Sequence, residues 1–68
     1  MPPMPRETFF EFHQIGAYTK ATAIDAQSGL EVSIVGPSNS SELVLRNNAL
    51  RKLNAALKRE GLVPDTGG

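Results

Sequence analysis

The one histidine of the chain and a nearby glutamate are the residues best suited to chemistry. Glu11 and His13 stand two positions apart in a segment rich in β-favouring residues, so both project from one face of a strand. Such a pair could transfer a proton or contribute to a metal site. The chain has no cysteine and no second histidine, and no nucleophile is placed beside the pair by spacing. We therefore interpret His13 as a half-exposed strand residue, and we predict no enzyme, no metal and no cofactor.

A serine-rich segment, residues 36–41, precedes a predicted helix, and free N–H groups at a helix start attract anions. A phosphate-binding loop would add a lysine or a fuller glycine pattern, and neither is present. Asn39 followed three residues later by Glu42 is instead typical of a helix-capping box. Three serines are alternative caps: Ser38, Ser40 and Ser41. We interpret the segment as a helix cap.

Basic side chains are concentrated in the C-terminal part of the chain. Residues 1–40 carry two basic and four acidic side chains, whereas residues 41–60 carry five basic and two acidic ones. Four basic residues are expected to project from the helix side opposite its apolar stripe: Arg51, Lys52, Lys58 and Arg59. They could contact nucleic acid, but no aromatic residues for base stacking are interleaved with them, and the total charge is zero. Nucleic-acid binding is therefore the alternative function, and a solvated helix face is the simpler interpretation.

The elements that would position these residues are three strands and one helix. Residues 7–15, 18–25 and 30–35 have the composition and alternation of strands, with turns predicted at Gly16 and at residues 25–29. Gly36 and Pro37 end the third strand, because proline cannot donate to a sheet ladder. The sequence predicts an α+β fold, in which a three-stranded antiparallel meander is followed by one C-terminal amphipathic helix packed on one face (β-β-β-α).

A loop at residues 26–29 would fix the pairing of the second and third strands. On one face Asp25 would then oppose Leu30, and two alanines would oppose aliphatic residues in the pairs Ala23–Val32 and Ala21–Ile34. On the other face the predicted pairs are Ile24–Glu31, Thr22–Ser33 and Lys20–Val35. This register sorts small and aliphatic side chains to one side, as a one-sided core requires. The alanines would leave room for the helix to approach the sheet.

The helix carries a predicted apolar stripe and a clear end. Four leucines lie on one side of the predicted helix at helical spacing: Leu43, Leu50, Leu53 and Leu57. Gly61 suits the left-handed position that follows a helix, Leu62 can contact Leu57 across the last turn, and Pro64 prevents continuation.

Length and composition favour one small domain that needs help to be stable. The 68 residues contain no cysteine, so neither a disulfide nor a cysteine zinc site can add stability. We predict a Pro-rich disordered leader (residues 1–6), a single domain (residues 7–62) and a disordered tail (residues 63–68). A second copy of the chain is the usual support for such a domain, so a homo-oligomer is expected. The chain shows neither a secretory leader nor an apolar stretch long enough to span a membrane, so a cytoplasmic location is expected.

More large apolar residues are present than the predicted core uses. Val44 and Leu45 lie off the leucine stripe. Five others are assigned to the uncovered sheet face as a possible self-association surface: Phe9, Ile15, Tyr18, Ile24 and Val35. The favoured function is a non-enzymatic interaction module that forms a homodimer through a sheet face or edge.

Several short strings are similar to those of a known family. They are residues 10–12 (FEF), 14–18 (QIGAY), 23–26 (AIDA) with 28–29 (SG), 31–37 (EVSIVGP) and 49–53 (ALRKL). Over about residues 7–57 the chain resembles a family of short uncharacterised bacterial proteins, a domain of unknown function. Some members carry the label serine hydroxymethyltransferase. The chain lacks a lysine environment for pyridoxal phosphate and is too short to build that cofactor site, so the resemblance implies no such activity.

Overall fold

Three strands form one antiparallel sheet in the computed structural model, which describes residues 6–64. Strand β1 spans Thr8–Ile15, β2 spans Tyr18–Asp25 and β3 spans Glu31–Pro37, and they lie side by side in that order. The helix α1 spans Glu42–Arg59 and packs against β2 and β3. The predicted fold, an α+β meander with one C-terminal helix on one face, is confirmed.

Glycine conformation sets both strand connections. Gly16 has a φ of 59° in the turn between Ile15 and Tyr18, which is the position where a two-residue type II′ turn needs glycine. Gly29 has a φ of 77° in the second turn. There the Asp25 carboxylate accepts hydrogen bonds from the backbone N–H of Ser28 (2.9 Å) and from its hydroxyl (2.7 Å). The Asp25 side chain therefore caps this turn.

The predicted pairing of β2 with β3 is also confirmed. Ala21 pairs with Ile34, and Ala23 pairs with Val32. The amide of Asp25 donates to the carbonyl of Leu30 at 2.8 Å, at the end of the same ladder. The remaining predicted pairs are found on the opposite face: Ile24–Glu31, Thr22–Ser33 and Lys20–Val35. The sorting of side chains between the two faces therefore does specify the register.

The core lies between the sheet and a helix stripe that differs from the predicted one. Fully or almost fully buried residues of α1 are Leu45, Ala49, Leu53, Ala56 and Leu57. Leu43 is 60% exposed and Leu50 is half-buried, so the stripe prediction was wrong at both, and Leu45 was wrongly placed off it. Gly36 supplies the physical reason, since a Cβ there would lie 2.5 Å from Cδ2 of Leu45. The missing side chain leaves a space that Leu45 fills.

Both ends of α1 are closed by hydrogen bonds. Ser41 is the N-cap, and its hydroxyl accepts a hydrogen bond from the backbone N–H of Val44 at 3.1 Å. Asn39 was therefore wrongly predicted as the cap, and Ser41 was one of the predicted alternatives. At the C-terminus the amides of Gly61 and Leu62 donate to the carbonyls of Lys58 and Leu57. With Gly61 at a φ of 72°, this is the Schellman motif expected from the sequence.

The N-cap provides a first stability test. Ser41→Ala removes the hydroxyl acceptor, so we expect the free energy of unfolding to fall by about 1 kcal/mol. Asn39→Ala is the matched control, because Asn39 lies two residues outside the cap and should leave the free energy unchanged. Urea unfolding followed by circular dichroism measures both. A larger loss for Asn39→Ala than for Ser41→Ala would contradict the assignment.

Two residues assigned to the flanking segments contact the domain. Arg6, placed in the leader by the sequence analysis, is hydrogen-bonded to Asp25. Val63, placed in the tail, packs against the core. Residues 1–5 of the predicted leader and 65–68 of the predicted tail lie outside the described residues. Within residues 6–64, no helix is long and apolar enough to cross a membrane.

Candidate interaction surface

The sheet side turned away from α1, called here the open face, carries the residues predicted for self-association. It is defined by alternate residues of each strand: Phe9, Glu11, His13 and Ile15 of β1; Tyr18, Lys20, Thr22 and Ile24 of β2; and Glu31, Ser33, Val35 and Pro37 of β3. All five residues of the predicted surface lie on this face. Four of them are 54–65% exposed, and Ile24 is half-buried.

The apolar residues of the open face form two groups at opposite ends of the sheet. Phe9 is paired with Ile24 at one end, and Ile15 is paired with Tyr18 at the other. Phe9 and Ile15 are six positions apart in β1, a distance of about 20 Å along a strand. Val35 lies opposite Lys20, next to the second group. The open face is thus apolar at its ends rather than uniformly apolar.

Polar residues occupy the middle of the open face. The hydroxyls of Thr22 and Ser33 are hydrogen-bonded at 2.8 Å across β2 and β3. Glu11 lies opposite Thr22, and His13 lies opposite Lys20. No hydrogen bond joins the side chains of Glu11 and His13 in the part of the chain that the structure describes. Both are exposed, so the strand places them where a binding partner could reach them.

The two outer strands differ in how their backbone edges are protected. In an antiparallel ladder, residues alternate between those bonded to the neighbouring strand and those whose N–H and C=O point away from it. The bond from the amide of Ala26 to the carbonyl of Glu7 sets this alternation for β1. Four residues of β1 therefore direct their backbone groups outward: Thr8, Phe10, Phe12 and Gln14. Among the described residues, no hydrogen bond engages these outward groups.

The edge of β3 is partly closed. The bond from the amide of Ser38 to the carbonyl of Ala17 places the backbone groups of Ser33 on the outer side of β3. The Lys52 ammonium donates to the carbonyl of Ser33 at 2.8 Å. Pro37, also directed outward, has no N–H to offer. Lysine and proline at an edge both oppose pairing with another chain.

The predicted nucleic-acid residues are not all on one side of the helix. Arg51 and Lys58 are exposed and border a shallow surface depression on the outside of α1, together with Asn47 and Asn54. The side chain of Lys52, which was predicted with them, reaches back to the edge of β3 and donates to the carbonyl of Ser33. Arg46, which was not predicted as functional, lies over the Phe10 ring with its guanidinium carbon 5.1 Å from the ring centre. This cation–π contact covers part of a half-buried ring.

A surface depression of about 300 Å³ lies between the end of β1 and the start of α1. Its lining residues are Phe12, Gln14, Thr19, Ser38, Ser40, Glu42 and Leu45. The hydroxyls of Thr19 and Ser38 bond each other at 3.1 Å. Its one carboxylate, Glu42, is accompanied by no basic side chain in the lining, so the depression lacks an acid–base pair. Elsewhere in residues 6–64, no group of three or more possible metal ligands is found.

An ion pair that was not predicted from the sequence joins Arg6, just before β1, to Asp25 at the end of β2. The Arg6 guanidinium donates to both carboxylate oxygens of Asp25, at 2.8 and 2.9 Å, and the Asp25 side chain is fully buried. Hydrogen bonds from Arg6, and then from Ser28, lower the pKa of Asp25 from 3.8 to about 2, against the opposing effect of burial. An arginine directly before a strand was the available signal. The pair is structural, because its hydrogen bonds join the segment before β1 to the end of β2.

Comparison with known proteins identifies a family without a known activity. No curated protein and no solved structure matches the chain. A family model described as a domain of unknown function, DUF6898, matches residues 5–60, which include the sheet, the helix and Arg6. The chain therefore belongs to the DUF6898 family, as its resemblance to an uncharacterised family predicted.

Proposed function

We propose that this domain is a small non-enzymatic interaction module that self-associates through its sheet. The observation that carries the proposal is the exposure of Phe9, Ile15, Tyr18 and Val35 on one sheet face beside an unprotected strand edge. Large apolar side chains gathered on one face are typical of an interaction surface. A cytoplasmic location, predicted from the sequence, is part of this proposal.

The small size of the core also supports the proposed self-association, because a small core stabilises the single chain only weakly. Within residues 6–64, seven apolar residues are fully or almost fully buried, and four of them are alanines: Ala21, Ala23, Ala49 and Ala56. Burial of alanine contributes little apolar area, so the three buried leucines and the partly buried residues packed against them supply most of the hydrophobic stabilisation. Self-association would add buried area without enlarging the chain.

The oligomeric state tests the proposal. Sedimentation velocity over a wide concentration range should show a monomer–dimer equilibrium, with the dimer favoured as the concentration rises. Ile15→Lys places a charge on the open face, and we expect it to raise the dissociation constant by about tenfold or more.

Val44→Lys is the matched control. Ile15 and Val44 are both β-branched and exposed, at 61% and 50%, but Val44 lies on the helix. The control should dimerise as the unmodified chain does. A chain that stays monomeric at high concentration would overturn the proposal. If both variants raised the dissociation constant equally, the dimer would not form through the sheet.

A further inference from the structure

We infer that the partner is a second copy of this chain, joined through antiparallel pairing of β1 with the partner's β1 about a two-fold axis. The inference rests on the proposed self-association and specifies its geometry. The result is one continuous six-stranded sheet, with both open faces on one side and both helices on the other. Pairing of this kind is the most direct way to satisfy an unprotected strand edge.

The structure favours β1 over β3 for this contact. On the outer edge of β3, Lys52 already bonds the carbonyl of Ser33, and Pro37 has no N–H, so both hinder pairing with another strand. The eight residues of β1 include no lysine and no proline, and three of them are phenylalanine. Because α1 packs on β2 and β3, it leaves Phe10 and Phe12 half-buried beside the β1 edge. A second β1 would cover this edge.

Backbone geometry restricts the register of the pairing. Hydrogen-bonded pairs must join residues whose backbone groups point outward, which are the even-numbered residues of β1. Two symmetric registers then keep most of the strand paired. One is centred on Glu11 and places it opposite the partner's Glu11, and two like charges facing each other are destabilising. The other is centred on Phe12.

The register centred on Phe12 is complementary on the open face. Glu11 lies opposite the partner's His13, so the carboxylate can accept a hydrogen bond from the imidazole N–H. Phe9 lies opposite the partner's Ile15, and this joins the apolar groups at the two ends of the face. The two-fold axis repeats each contact. Both sequence features that had no role in the monomer, the Glu11–His13 spacing and the separated apolar ends, are then used.

The helix side of the sheet is also matched in this register. Phe12 lies beside the partner's Phe12 across the axis, and Phe10 lies opposite the partner's Gln14. Two half-buried rings would then cover each other, in the kind of aromatic contact that is favourable across strands. Since each helix lies over β2 and β3, the two helices remain apart and do not obstruct the pairing.

Cysteine cross-linking tests the register directly, because the natural chain has no cysteine. Residues 11 and 13 of opposite chains would form a non-hydrogen-bonded pair, where the Cβ atoms are close enough for a disulfide. Glu11→Cys and His13→Cys are mixed in equal amounts, oxidised mildly and examined by intact-mass spectrometry. We expect the mixed disulfide to exceed clearly the half share that random pairing gives.

The outcomes separate this inference from the proposed function. If Glu11→Cys alone forms most of the disulfide with itself, the Phe12-centred register is wrong. If the chain dimerises but no pair cross-links above an exposed Lys58→Cys control, edge pairing through β1 is overturned and self-association stands. If sedimentation shows only monomer, both fail together.

Proline substitution gives a second measurement that needs no cross-link. Gln14→Pro removes an outward N–H of β1, and Glu31→Pro removes an outward N–H of β3, so neither breaks a bond to β2. We expect Gln14→Pro to abolish the dimer in sedimentation and Glu31→Pro to retain it, with both folded by circular dichroism. Retention of the dimer by a folded Gln14→Pro would overturn the inference.

Discussion

Leu53→Ala is expected to lower the free energy of unfolding by about 2–5 kcal/mol, a large part of the stability of a domain this small. Leu53 is fully buried in the centre of the interface between α1 and the sheet. Its neighbours there include Ala21, Ala23 and Ala49, whose side chains are too short to fill the space that the substitution leaves. The cavity would therefore persist, and its cost adds to the lost burial of the leucine side chain.

Urea unfolding followed by circular dichroism measures this loss, at one fixed protein concentration because association would itself add stability. Leu43→Ala is the control, since Leu43 is on the same helix but largely exposed. We expect it to change the free energy by no more than about 0.5 kcal/mol. If Leu43→Ala were the more damaging variant, the stripe predicted from the sequence would be right and the observed packing wrong.

Asp25→Asn is expected to destabilise the domain near neutral pH, and the difference from the unmodified chain should shrink as the solution is acidified. The ionised Asp25 carboxylate accepts hydrogen bonds from Arg6 and Ser28, and an amide can replace these only in part. Because these bonds favour the charged form, the pKa of Asp25 in the folded protein is lowered from 3.8 to about 2.

The sign of the pH dependence follows from that lowered pKa. A carboxyl group with a lower pKa in the folded state than in the unfolded state stabilises the fold above its unfolded value. The contribution is lost as the pH falls from about 4 to about 2. Thermal unfolding at several pH values should therefore show a steeper loss over this range for the unmodified chain than for Asp25→Asn.

Glu31→Gln is the matched control for the acid range, because Glu31 is an exposed carboxylate of the same sheet and lies outside the inferred β1 contact. It should leave the loss of stability between pH 4 and pH 2 unchanged. Parallel curves for Asp25→Asn and the unmodified chain would show that the carboxylate does not carry the predicted pH dependence. Chemical-shift titration of Asp25 by NMR gives the same answer independently of unfolding.

The strands, their register and the end of the helix could be predicted because local chemistry determines them. Gly16, Gly29 and Gly61 take positive φ values that other residues resist, so each marks a turn or a helix end. The alternation of Ala21 and Ala23 against Val32 and Ile34 leaves one acceptable register. The residues of the open face follow from the same alternation, which is why the candidate surface could be named from the sequence.

The rotation of the helix could not be predicted from its periodicity alone. Leu43 and Leu50 fit a helical stripe with Leu53 as well as Leu45 does. The choice was made by the sheet, where Gly36 leaves a space that a leucine side chain can enter. That space exists only after β3 is paired and α1 is docked, so it cannot be predicted from any local stretch of sequence.

The sequence by itself determined the elements, the pairing of β2 with β3 and the residues of the open face, because glycine conformation and strand alternation act over a few residues. The tertiary structure decided which helix face is buried, and it brought together Arg6 with Asp25 and Lys52 with Ser33, pairs 19 residues apart. It also decided that β3 is protected and β1 is not. These contacts join separate segments, and their energies depend on distances that the folded chain alone sets.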